Sequence, residues 1–193
     1  MLKREYAKDE FDNLFMGKFI DDAHSAFSLT EIMKCVGDSK KWTDFDTSWA
    51  RPYAMKPVLI GIDPARTIDK ASVVVLSLPA NMSEKFRVLE TMDLSGNDFG
   101  AMAEIIKGLT QKYNVVHIGI DTTGIGYGLY DLVSKFFPMV MPLHYNPLLK
   151  TQLVLKAMNV IKNKRLEFDE HATAIGASFI NIRKKVTGDK ITY

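Results

Sequence analysis

Cysteine is almost missing from this chain: Cys35 is the one thiol in 193 residues. No internal disulfide can form, and a thiolate zinc site lacks its partners, both of which suit a reducing cytoplasm. Long apolar runs are missing as well. Nothing approaches the roughly 20 consecutive apolar residues that cross a bilayer, and the opening M-L-K-R-E-Y-A-K-D-E has no apolar core of a signal peptide. No membrane partner is expected. A G-x-x-x-x-G-K-[ST] loop is absent throughout, so phosphate-loop ATPase chemistry is excluded within these residues. Net charge is also slight, +2 at pH 7, and the chain as a whole is no polycation.

What is present is an ordinary globular composition, 47% hydrophobic and 25% charged, enough for one good core. The charge is unevenly spread. Residues 1–149 hold 16 Lys and Arg against 19 Asp and Glu, whereas residues 150–193 hold 9 against 4. A polyanion would prefer the C-terminal quarter; on charge alone, a solvated helix face is the simpler account of the surplus.

Two stretches share one design. Val58 to Asp63 reads V-L-I-G-I-D, and Val115 to Asp121 reads V-V-H-I-G-I-D. Each is a short apolar, β-branched run, the signature of a buried strand, and each ends in Gly-Ile-Asp. Taken singly, an Asp before Pro64 is a common turn former or cap. Taken together, two such strands lying parallel would bring Asp63 and Asp121 to the carboxyl end of one sheet, where open α/β sheets bind ligands.

The spacing predicts a helix over 5–22, a capping box at Ser28 to Glu31 opening a short helix ended by Gly37, and a linker over 38–57 packed down by Trp42 and Trp49. It then predicts strands at 58–63, 71–78 and 85–94 forming an antiparallel meander. A crossover helix with Phe99, Met102, Ile106, Leu109 and Tyr113 on one face follows, capped by Asn97 or Asp98. That helix returns the chain so that the 115–121 strand pairs parallel to the first. A helix over 124–135, a fifth strand over 139–144, a helix from Pro147 to about 163, an extended 166–169, a helix over 171–182 and a strand at 190–193 complete the reading.

Other candidates sit around the Asp pair. Arg66 and Lys150 are weighed as nucleic-acid contacts: Arg66 in the loop after the first strand, Lys150 in the first turn of a helix, where its charge opposes the helix dipole. Asp69 is a spare carboxylate on a loop, where a surface turn explains it as well. His117 reads as a core histidine and His144 has no evident partner. Gly124, Gly126 and Gly128 lack the dinucleotide spacing and read as helix-entry and close-packing glycines.

The order strand, strand, strand, helix, strand, helix, strand, with Asp at two strand ends, resembles the ribonuclease H-like fold, here a mixed α/β sheet of about five strands flanked by helices behind a short N-terminal helical appendage. I-G-I-D-P-A, D-L-S-G-N-D-F, I-D-T-T-G-I-G-Y-G and the later L-E-F-D resemble, in their order, the nuclease domain of the large terminase subunit of tailed bacteriophages. The resemblance covers residues from about 50 onward. It implies an N-terminal connection over 1–50 from an ATPase domain and a nuclease domain over 51–193. It implies a two-metal endonuclease that cuts concatemeric double-stranded DNA in the host bacterial cytoplasm, with Mg²⁺ or Mn²⁺ held by Asp63 and Asp121. Expected partners are DNA, the ATPase domain, the small terminase subunit and the portal. The family's third acidic residue follows the last strand, beyond Tyr193, and Glu167, Asp169 and Glu170 sit on the wrong element to replace it. Alternatives on the same residues are an actin-like or sugar-kinase phosphate-binding half, which Pro64-Ala65-Arg66 fits poorly, and a non-catalytic module that holds DNA or docks in the packaging motor.

Overall fold

The structure, a computed structural model, describes residues 25–64, 71–187 and 190–193. The helix expected over 5–22 and the loop candidates Arg66 and Asp69 fall outside the described residues. In chain order the elements are α1 (Leu29–Met33), β1 (Val36–Gly37), β2 (Pro57–Asp63), β3 (Ser72–Ser77), β4 (Phe86–Asp93), α2 (Phe99–Lys112), β5 (Asn114–Asp121), α3 (Tyr127–Ser134), β6 (Met141–Leu143), α4 (Pro147–Lys162), β7 (Leu166–Asp169), α5 (Thr173–Ile180), β8 (Lys185–Thr187) and β9 (Lys190–Thr192). They fall into two compact units, Lys40–Asn146 and residues 25–39 with Pro147–Tyr193.

In the first unit the sheet order is β4-β3-β2-β5-β6. The meander is antiparallel throughout, with Asp63 opposite Ser72 and Ser72 opposite Asp93. β5 then joins β2 in parallel with Ile62 opposite Ile120, and β6 extends the sheet in parallel with Asp121 opposite Leu143. Helix α2 makes this possible. Asp98 caps it, its Oδ1 accepting from the Ala101 amide at 2.8 Å, and Met102, Ala103, Ile106 and Leu109 form its buried stripe. Tyr113, fully buried just past its end, donates to Glu90 Oε2 at 2.7 Å, and Lys112 joins the same carboxylate. The core is the shared face of Val58, Ile60, Ile62, Val73, Val75, Ile118 and Ile120 against α2 and against Leu129 and Val133 of α3.

The expected linker over 38–57 is partly a packed lid. Trp42 is 6% exposed and stacks edge-on with Phe45, which meets Tyr53 in the same way. Trp49, expected to pack alongside, is 48% exposed instead. Polar residues hold this turn: Asp44 binds Lys56 Nζ and Arg87 Nη1, each at 2.7 Å.

In the second unit β1 and β7 pair in parallel, with Val36 opposite Phe168 and Gly37 opposite Asp169. Gly37 therefore lies in a strand and does not end α1; a side chain there would run into the Glu167 carboxylate. The capping box also fails in one respect. Ser28 is the N-cap, yet its side chain makes no cap bond; its carbonyl takes the Glu31 and Ile32 amides, both at 3.1 Å. The expected strand at the end of the chain pairs with β8 as an antiparallel hairpin that apolar spacing does not reveal.

Candidate active site

Asp63 and Asp121 are the last residues of adjacent parallel strands. With Ile62 opposite Ile120 in register, the next residues of the two strands stand side by side, about 4.8 Å apart across the ladder. Strand alternation places them on one face. Ile60 and Ile62 on β2 and Ile118 and Ile120 on β5 are buried in the core, so the terminal Asp residues turn the other way. Asp63 is exposed and Asp121 half-buried. Both residues thus lie on the face opposite the isoleucines.

Local hydrogen bonds fix Asp121. The Thr123 amide donates to its Oδ1 at 2.7 Å, a tight Asx turn of the type that Asp favours. The Thr122 amide donates to the Leu143 carbonyl at 3.0 Å, tying the loop after β5 to β6. The Thr123 hydroxyl then accepts from the Tyr145 amide at 2.9 Å. Two consecutive threonines thus clamp the end of β5 to the end of β6. Thr122 is fully buried, and its Oγ1 has no hydrogen-bond partner among the described residues.

The glycines that follow are structural. Gly124 has φ +67°, where L side chains are strained. A Cβ on Gly126 would collide with the Asp121 carbonyl oxygen, and one on Gly128 would lie 2.8 Å from the Phe99 ring. This is the close packing expected from the sequence: Gly126 lets the start of α3 approach the strand end that carries Asp121, and Gly128 lets α3 approach Phe99 of α2.

Tyr145, which the sequence does not single out, stands at the same end of the sheet. It is half-buried, and its phenol is held above the ordinary tyrosine range first by burial and then by the negative charges of Asp121 and Asp63. Its phenol thus lies in the field of both carboxylates. A lone Tyr in H-Y-N-P carries no motif; its one signal is position, just past the strand that pairs with β5. His117 is half-buried on β5, as a core-edge histidine. Lys150 is exposed on the first turn of α4, in the other unit.

Glu167, Asp169 and Glu170 lie on and just after β7. Asp169 is engaged locally, with Oδ2 accepting from the Ser39 amide and Oδ1 from the His171 amide, each at 2.9 Å. Among the described residues no group of three or more His, Cys, Asp or Glu side chains gathers where a metal ion could be held.

Residues 60–192 match the family model described as the terminase RNaseH-like domain. The chain is 45% identical over 195 residues to the terminase ATPase subunit of Escherichia phage P2, covering 100% of this chain and 33% of that protein. It is 38% identical to the probable terminase ATPase subunit of Haemophilus phage HP1, covering 100% of this chain and 32% of that protein. The chain therefore spans about a third of the length of the curated relatives it matches. Among solved structures, the large terminase nuclease from thermophilic phage G20c with bound magnesium superposes with a TM-score of 0.66 at 16% identity, covering 89% of this chain and 87% of that one.

Proposed function

Since the chain belongs to the terminase RNaseH-like domain family, we propose that it is the metal-dependent endonuclease of a phage DNA-packaging terminase, hydrolysing double-stranded DNA at Asp63 and Asp121. The observation that carries this reading is the pair of carboxylates at the carboxyl ends of two parallel, register-matched strands. Neither side chain belongs to the core, so stability alone gives no reason for a carboxylate at both ends.

The donor set suits Mg²⁺ or Mn²⁺. Both are hard cations that prefer carboxylate oxygens and keep several waters, and the two Asp side chains, one exposed and one half-buried, are oxygen donors outside the core. Asp121 Oδ1 is already held by Thr123, which orients the carboxylate before any cation arrives. Asp63 and Asp121 would hold the cation between them, and their repulsion would be relieved by it. When bound, such ions polarise the phosphodiester and make a nucleophile of water at neutral pH. The chain's own residues supply orientation: the threonine clamp holds Asp121, and Gly126 packs against the strand end that bears it.

On this reading the nuclease region would be 51–193, with 1–50 as the connection toward an ATPase domain. Double-stranded DNA, that ATPase domain, the small subunit and the portal are the partners this reading gives the protein, in the host cytoplasm. The basic C-terminal quarter supports a sequence-independent hold on the phosphate backbone, with Lys150 and Arg66 as contacts. No helix of the described residues is long and apolar enough to cross a membrane.

Conversion of supercoiled plasmid to nicked and linear forms tests the proposal. The protein carrying this chain should cut with Mn²⁺ or Mg²⁺ and stop when the cation is chelated. Asp63→Asn should reduce cutting at least about a hundredfold, since it keeps the shape and removes the charge that holds the ion, with an unchanged melting temperature. Full cutting by Asp63→Asn would place the chemistry elsewhere. DNA binding with no cutting in any divalent cation would leave a DNA-holding module.

A further inference from the structure

We propose that Tyr145 is a substrate-binding residue of this site, its phenol donating a hydrogen bond to a non-bridging oxygen of the phosphodiester held at Asp63 and Asp121, and that Thr123 is the residue that positions it. The inference rests on the nuclease reading and goes beyond it by naming a residue that touches the substrate and is not a metal ligand.

Three observations converge on Tyr145. First, β6 runs parallel to β5 with Leu143 opposite Asp121, which puts Tyr145 two residues farther along at the same end of the sheet. A Cβ built on Gly119 would lie 3.1 Å from Leu143 Cδ1, so the Leu143 side chain stands over the strand face that also carries Asp121. Second, an unbroken chain of hydrogen bonds connects the two residues. The Thr123 amide holds Asp121 Oδ1 at 2.7 Å, and the Thr123 hydroxyl holds the Tyr145 amide at 2.9 Å. The carboxylate and the backbone of Tyr145 are thereby fixed by one residue. Third, Tyr145 is half-buried at this end of the sheet, although its neighbours His144 and Asn146 are both exposed.

A tyrosine phenol is protonated at neutral pH, so Tyr145 stands at this end of the sheet as a neutral donor. A neutral donor beside two anions is suited to one kind of ligand, an anionic oxygen delivered with a cation. An Arg or Lys at this place would pair with the carboxylates and compete with the metal. A tyrosine hydroxyl attracts phosphate without that competition. It reaches the diester only once the cation has offset the repulsion between phosphate and carboxylates, so its contribution should depend on metal.

Tyr145→Phe tests the idea, because it keeps the ring and removes only the donor. Binding of a short fluorescein-labelled duplex is measured by anisotropy, with chelator and then with Ca²⁺ as a non-cleaving stand-in, beside a Mn²⁺ titration and a melting curve. We expect equal duplex affinity for Tyr145→Phe and the unaltered protein in chelator, and about tenfold weaker binding for Tyr145→Phe in Ca²⁺. Mn²⁺ affinity and melting temperature should be unchanged. Thr123→Val should reproduce part of that metal-dependent loss and Thr123→Ser should restore it. Equal duplex affinity in Ca²⁺ would overturn the proposal, as would loss of Mn²⁺ binding by Tyr145→Phe, which would make the tyrosine a support of the cation. If the unaltered protein binds no Mn²⁺, the nuclease reading and this inference fall together; if it binds Mn²⁺ and only the Tyr145→Phe difference is missing, the nuclease reading stands.

Discussion

Thr122 and Thr123 are neighbours in opposite circumstances. Thr122 is fully buried and its hydroxyl has no partner among the described residues, a condition that costs about 1 to 3 kcal/mol for a buried polar group. Replacing it with the isosteric Val should leave stability unchanged or raise it by about 1 kcal/mol, roughly 2 to 4 °C in melting temperature for a chain of this size. Thr123 is exposed, yet its hydroxyl accepts the Tyr145 amide. Thr123→Val should therefore destabilise by about 1 kcal/mol, and Thr123→Ser by less than about half of that. Thermal or urea unfolding of the three variants checks both statements; destabilisation by Thr122→Val would mean that its hydroxyl is bonded after all. Neither threonine's role was legible in T-T-G-I-G-Y-G, because a hydroxyl reads the same whether it meets a partner across the sheet or none.

At the scale of elements, the segment before β2 is held by one carboxylate. Asp44 binds Lys56 and Arg87, Arg87 lies 5.3 Å over the Trp42 ring, and Lys56 lies 5.4 Å over the Tyr53 ring. Burial alone would raise the Asp44 pKa, but the Lys56 hydrogen bond and the charges of Arg87 and Lys56 outweigh it and hold the carboxyl below its ordinary value of 3.8. A lowered folded pKa contributes stability above the unfolded value that is lost as pH falls through the folded one. Because Asp44 is 29% exposed, its worth is that of a partly screened pair, about 1 kcal/mol at most. Asp44→Asn should thus be less stable than the unaltered protein at neutral pH, with the gap closing below about pH 4. Urea unfolding across that range decides; a gap that persists in acid would remove Asp44 from the account. At Asp169 burial would raise the carboxyl, but hydrogen bonds from Ser39 and His171 outweigh it and hold it below its ordinary value, so it should add to the same acid sensitivity.

Elements with strong periods were legible from sequence, and irregular ones were not. The meander, the crossover helix with its Asp98 cap and the parallel return of β5 all follow from apolar spacing and turn residues. The two-residue strand β1 and the pairing of β8 with β9 did not, since two or three residues carry no period. Trp49 illustrates the same gap: its size suggested packing, yet it is half-exposed while Trp42 and Tyr53 cover the core.

For the molecule as a whole, the meeting of the two strand ends that carry Asp63 and Asp121 was legible because the design V-x-I-G-I-D occurs twice and a crossover helix lies between the two strands. The place of Tyr145 was not, because it comes from a parallel pairing and a hydrogen bond to Thr123, neither of which leaves a pattern in the residues around it. The central claim is that two strand ends are brought together to hold a divalent cation. The most direct measurement is anomalous diffraction from crystals soaked in Mn²⁺. The account predicts a manganese peak within coordination reach, about 2.0 to 2.3 Å, of an oxygen from both Asp63 and Asp121. Anomalous density that touches neither carboxylate, or the two side chains on opposite faces of the sheet, would contradict it.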